Sequence, residues 1–194
     1  SHEPFTFGVG PAMWFDAQMD RIEPTLDLAG QVALVTGASS GLGRRFARLL
    51  AANGALVVAT ARRLDRLNDL ASEIADAGGT CVPVQLDVTD AEQIASVVAT
   101  AGEYAGPVQI LVNNAGIPDA QYATKMPLQL IDQVLDTNLR APFLLSCEVA
   151  RHLIDAKLPG RIVNISSIGG FNYSGGGAAL YSISKAGVNR LTET

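Results

Sequence analysis

Gln31-Val32-Ala33-Leu34-Val35-Thr36-Gly37-Ala38-Ser39-Ser40-Gly41-Leu42-Gly43 contains three signals in succession. Its first residues are nearly all apolar, which suits a short strand buried on both faces. Three glycines follow, at 37, 41 and 43, and from Gly41 the apolar residues recur at helical spacing towards Asn53. A glycine cluster alone says little, because flexible turns are also rich in glycine. Between a strand and a helix it acquires a meaning: the backbone can turn tightly and approach a pyrophosphate, while the helix start offers free N–H groups and a partial positive charge. Gly37, Ala38, Ser39, Ser40, Gly41, Leu42 and Gly43 are therefore expected to cradle the phosphates of a dinucleotide.

Outward from this stretch, valine- and isoleucine-rich runs alternate with segments of helical period. Strands are expected at 31–36, 55–61, 80–86, 108–113 and 160–166. Helices are expected at 41–53, 65–77, 91–104 and 127–156, with a last one opening near Leu180. This alternation predicts an α/β fold, a doubly wound parallel sheet of Rossmann type with every strand covered on both faces. That fold orders its six strands 3-2-1-4-5-6. Only five are readable, so the last helix leads towards a strand that the chain does not contain, and the sequence reads as part of a longer protein truncated at its C-terminus. Residues 1–29 lack periodicity but carry Phe5, Phe7, Trp14 and Phe15. They are expected to form an arm, with Ser1-His2 a tag remnant, ahead of one catalytic domain over 30–194.

The 194 residues, 48% of them hydrophobic, suffice for one domain with a substantial core. A net charge of −5 without any acidic run gives no reason to expect nucleic acid or an anionic membrane as partner. Cys81 and Cys147 sit in apolar segments without CxxC spacing, which suits two reduced thiols in a cytoplasmic protein. No stretch approaches the roughly 20 apolar residues of a membrane span, and no cluster has metal-ligand spacing.

Tyr181 and Lys185 are four residues apart, so on a helix they share a face. A phenol ordinarily titrates near pH 10, and an ammonium held close favours its charged form. Such pairs arise by chance on surface helices. This one lies after the fifth strand, with Ser167 at that strand's end and a complete phosphate loop upstream. Asn138 stands four residues before Pro142 in the expected long helix; proline has no N–H, so the Asn138 carbonyl loses its helical partner and a kink is expected there. At the end of the second strand an NAD-preferring enzyme usually needs an acidic residue. Here Ala61 is followed by Arg62 and Arg63, whose guanidinium groups suit a 2′-phosphate, so NADP is favoured over NAD.

Taken together, Thr36-Gly37-x-x-x-Gly41-x-Gly43, Asp87-Val88, Asn113-Asn114-Ala115-Gly116, Asn138, Ser167, Tyr181 and Lys185 resemble the short-chain dehydrogenase/reductase family, including its 3-oxoacyl-acyl-carrier-protein reductases, over residues 28–194. The resemblance implies an NAD(P)-dependent oxidoreductase in which Tyr181 exchanges a proton with a carbonyl or alcohol oxygen that Ser167 also binds. It implies that Lys185 holds the nicotinamide ribose and Tyr181 also contacts the cofactor, that Asp87 receives the adenine amino group while Val88 flanks the ring, and that the Asn114, Ala115 and Gly116 backbone passes beside the adenine ribose. It makes Asn138 the fourth catalytic residue, its backbone carbonyl holding a water that leads to Lys185. The Ser167 to Tyr181 spacing is one residue longer than relatives commonly show, and Ser174-Gly175-Gly176-Gly177 is the expected place of the extra residue.

Arg44, Arg45 and Arg48 are expected on a solvated face with a minor share in attracting the cofactor. The apolar coverage of 127–156 exceeds what one sheet face needs, so a homodimer or homotetramer is expected. Ile117, Pro118 and residues 174–178 form a neutral wall, favouring an uncharged carbonyl or secondary alcohol as substrate. Two other classes share parts of the pattern: a non-catalytic NAD(P)-binding scaffold or sensor, and an epimerase or dehydratase of the extended relatives.

Overall fold

A computed structural model describes residues 27–119, 121–172 and 178–194. The expected arm and the Ser174–Gly177 loop therefore fall outside the described residues, apart from the last few positions of the arm. Five strands run parallel in the order β3-β2-β1-β4-β5: β1 Val32–Thr36, β2 Leu56–Ala61, β3 Thr80–Gln85, β4 Val108–Asn113 and β5 Arg161–Asn164. Among the described residues six α-helices accompany them: α1 Gly41–Ala52, α2 Leu64–Asp76, α3 Ala91–Ala105, α4 Leu128–Leu135, α5 Ala141–Ala156 and α6 Ala179–Thr192.

Alternation along β1 divides the core. Ala33 and Val35 pack with Val57, Ala59, Ala47, Leu67 and Leu70 under α1 and α2, whereas Val32 and Leu34 pack with Val58, Ile94, Leu111, Leu145 and Val149 under α3 and α5. Each fully buried valine or leucine contributes about 1.5–3 kcal/mol, so β1, with no residue exposed, is the spine of the molecule. Among the described residues no helix is long and apolar enough to cross a membrane.

Two expectations are corrected. Not every strand is covered on both faces: β3 is half-buried, and Arg161, Ile162 and Val163 of β5 are exposed. Each has one neighbouring strand among the described residues, and Pro83 within β3, which has no N–H to give a second neighbour, suits an edge of the sheet. Nor is 127–156 a single kinked helix. Between α4 and α5 the chain widens to a π turn over Asp136–Arg140, where the Ala141 N–H donates to the Asp136 carbonyl five residues back. The flanking dihedrals stay helical, so the missing donor of Pro142 is absorbed by widening rather than by a break.

Candidate active site

The carboxyl ends of β1, β2 and β4 meet at one edge of the sheet, and the phosphate loop is built there by close backbone contacts. Thr36 Oγ1 donates to the Val112 carbonyl and accepts from the Asn114 and Ala115 N–H groups, both at 3.0 Å. Asn114 Nδ2 donates to the Thr36 carbonyl at 2.9 Å. The amide of Asn114 thus cross-links strand ends, and a Cβ on Gly37 would lie 2.9 Å from it. A Cβ on Gly43 would lie 2.5 Å from the same nitrogen and would collide with the Gly37 carbonyl. Gly41 differs, because nothing lies within 4 Å of the place its Cβ would take.

Behind this loop opens a cleft of about 840 Å³. Its lining includes Gly37, Ser39, Ser40, Arg62, Arg63, Asp87, Val88, Asn114, Ala115 and Gly116, all residues that the sequence had marked. Ala38 is instead fully buried, its N–H on the Thr60 carbonyl, and Gly43 is buried in the first turn of α1. Leu42 is exposed, and Gly41 borders a separate groove between α1 and α2. That groove also holds Arg44, Arg45 and Arg48, with Arg44 paired to Glu73 at 2.6 Å. Arg63 reaches the loop directly, Nη2 donating to Ser39 Oγ at 3.1 Å. The Asp87 carboxylate closes its own turn by accepting from Thr89 N–H and Oγ1.

The cleft suits a dinucleotide on grounds of this structure. Ser40 at the N-cap of α1 makes no side-chain bond to the first turn, which also lacks an acidic residue, so the helix start keeps its N–H groups for an anion. By contrast, α3 caps itself through Asp90, which accepts from Glu92 and Gln93 N–H groups and whose carboxyl these bonds, the Gln93 backbone foremost, hold below its ordinary value.

Gly116 joins the cleft to the proton-transfer group: a Cβ there would lie 3.5 Å from Asn138 Oδ1 and 3.6 Å from Lys185 Nζ. Lys185 is buried, donates to the Ile165 carbonyl at 2.7 Å and lies 5.8 Å from the Tyr181 ring centroid. Burial pushes its ammonium below the ordinary lysine value. Ser167 Oγ accepts from the Gly169 N–H, a bond that uses a lone pair and not the hydroxyl hydrogen. A Cβ on Gly169 would lie 3.5 Å from Ser167 Oγ and 3.9 Å from Tyr181 Cδ1, so that serine and that ring flank one small residue.

Asn138 is fully buried, and its side chain does not cap the helix widening. Oδ1 accepts from the Ile117 N–H at 2.8 Å while Nδ2 donates to the Ile117 carbonyl at 2.9 Å and to Ser184 Oγ at 3.2 Å. Residues that the sequence reading missed include Gln133 and Thr137 in the lining, Ser184, and Asp119, whose Oδ2 accepts the Leu180 and Tyr181 N–H groups. A signal for Asp119 existed: the first turn of α6 follows Ala178, which cannot cap it.

A profile described as short chain dehydrogenase matches residues 31–194. The chain belongs to that family. As a short chain dehydrogenase it is 38% identical over 168 residues to a 3-oxoacyl-[acyl-carrier-protein] reductase of Synechocystis, covering 86% of this chain and 67% of that one. A crystal structure of a short-chain type dehydrogenase/reductase from Mycobacterium marinum superposes with TM-score 0.84 at 36% identity, covering 88% of this chain and 68% of that one. A metagenomic short-chain oxidoreductase in complex with NADP superposes with TM-score 0.81 at 39% identity, covering 86% and 75%. The chain spans about two thirds of the length of the curated relatives, 66% and 67% of the first two.

Proposed function

We propose that the protein transfers a hydride between NADP(H) and a neutral carbonyl or secondary alcohol, with Tyr181 as general acid and base. The carrying observation is a buried lysine beside a tyrosine ring at the end of a dinucleotide-sized cleft, with Gly116 lining the cleft and approaching the Lys185 Nζ. A bound nicotinamide supplies or accepts the hydride. Tyr181 donates its phenolic hydrogen to the carbonyl oxygen in reduction and takes it back in oxidation. Ser167 donates its hydroxyl hydrogen to the same oxygen and so stabilises charge that develops there. Lys185 presents its charge to the ring, and the Asn138 carbonyl, four residues before a proline, holds the water through which the proton reaches solvent. Gly37, Ser39 and Ser40 with the start of α1 hold the pyrophosphate, Asp87 and Val88 the adenine, and Asn114, Ala115 and Gly116 the adenine ribose.

Arg62 and Arg63 support NADP over NAD. Both line the cleft, Arg63 already reaches the phosphate loop, and the metagenomic relative holds NADP. Each charge-assisted bond to the 2′-phosphate is worth about 1.5–3 kcal/mol, so NADPH is expected to bind about tenfold to hundredfold more tightly than NADH, the gap shrinking in the double variant Arg62→Ala/Arg63→Ala. Fluorescence titration with both cofactors measures this, and equal or tighter binding of NADH overturns the assignment. An assay with NADPH against uncharged and charged carbonyl compounds reads the substrate class.

A further inference from the structure

The helix that carries Tyr181 and Lys185 begins without a cap of its own. Ala178 makes no side-chain bond to its first turn, where the N–H groups have no partner within the helix. Two of them are nevertheless held. Leu180 N–H and Tyr181 N–H both donate to Oδ2 of Asp119, at 2.9 and 3.0 Å, across 61 and 62 residues of chain. Asp119 is 3% exposed, and its other oxygen, Oδ1, has no hydrogen-bond partner among the described residues. A carboxylate is buried at such a place only where donors replace the water it loses, and two N–H groups at the positive end of a helix do so.

Asp119 also lies on the loop that forms one wall of the cleft. Two residues earlier, Ile117 is clamped through both its backbone groups by Asn138, and Asn138 in turn donates to Ser184 Oγ. Ser184 Oγ donates to the Tyr181 carbonyl at 2.7 Å. Both backbone groups of Tyr181 are therefore held by side chains, the N–H by Asp119 and the carbonyl by Ser184, and the loop after β4 is stitched to α6 at two points.

Resting on the reading of Tyr181 as the proton-transfer group, we infer that Asp119 is a positioning residue for Tyr181: by accepting two first-turn N–H groups it fixes the start of α6 against the wall of the cleft and so sets where the phenol stands. One oxygen does this work. Asparagine at the same place keeps an acceptor for both N–H groups, whereas alanine keeps none.

Hydrogen exchange on the whole protein tests the bond itself. In the parent, the Leu180 and Tyr181 amides, which an uncapped first turn leaves open, exchange slowly. In Asp119→Ala they exchange faster while the amides of β1 and β4 keep their parent rates, and Asp119→Asn stays close to the parent. Because small displacements of a catalytic group cost up to about a hundredfold, kcat of Asp119→Ala falls about tenfold to hundredfold with little change in the KM for NADPH, and Asp119→Asn recovers most of it. Rapid exchange of the two amides in the parent overturns the inference without any variant, and so does Asp119→Asn as impaired as Asp119→Ala. Should Asp119→Ala fail to fold, the parent exchange and the Asp119→Asn kinetics decide. Tyr181→Phe, run alongside, separates the two readings: full turnover there sinks the proton-transfer role, while the exchange rates still judge the bonds of Asp119.

Discussion

Ser166 and Ser167 are adjacent hydroxyls turned to different tasks by the end of β5. Ser166 Oγ donates to the Lys185 carbonyl at 3.2 Å, tying the strand end to α6. Ser167 starts a short 3-10 turn over Ile168–Gly170, and its oxygen faces Gly169 beside Tyr181. Loss of an oxyanion donor costs about a hundredfold to a thousandfold in kcat, so Ser167→Ala should show that loss in steady-state kinetics. Ser166→Ala should instead lower the melting temperature by the loss of a bond worth about 1 kcal/mol, with kcat changed far less. The opposite pattern moves the substrate-binding hydroxyl to Ser166. Serine, tyrosine and lysine were legible in the chain because their spacing lies within one strand–helix unit. The partners of Thr36, Asn113 and Asp119 were not, since nothing near these residues in sequence states what they bond: Asn113 Nδ2, for instance, donates to Asn164 Oδ1 at 2.8 Å, 51 residues on.

At the level of elements, the phosphate loop shows why its glycines differ from one another. Gly41 combines a φ of 57° with open space, so a side chain there would strain the backbone without meeting a neighbour. Gly43 is required by packing, because a Cβ there would run into the Gly37 carbonyl and Asn114 Nδ2. Gly43→Ala must push the start of α1 away from β4, an overpacking cost of about 1–3 kcal/mol, and is expected to weaken NADPH binding in titration by about fivefold to a hundredfold. Unchanged affinity and melting temperature would show that the loop is looser than its contacts indicate. The glycine spacing was legible, and so was a disturbance at Pro142. Its form was not, because loss of one N–H permits either a kink or a widened turn, and the chain takes the latter with Asn138 and Ala141 both buried.

For the molecule as a whole, the helix face left over by the core points to self-association. In α5, Pro142, Leu145, Val149 and Leu153 are buried, whereas Phe143 and Ile154, 52% and 73% exposed, lie one residue further round, about 100° away. Eleven residues separate them, about three turns, so they form one apolar stripe. We therefore expect a dimer or tetramer through α5, with Ile154→Asp shifting it to monomer and leaving the melting temperature of the fold nearly unchanged; a monomeric parent in sedimentation at micromolar concentration would dispose of the proposal. The order of elements, the parallel α/β class and most of the residues that line the cleft were readable from the sequence by itself, since strand and helix periods and glycine spacing are local properties of the chain. Tertiary structure alone decided that Arg63 rests on Ser39, that Thr36 fastens Asn114 and Ala115, and that the helix of Tyr181 starts on Asp119. Those bonds join residues 24 to 79 positions apart, and such pairs come into register only once the strand order has placed their ends side by side.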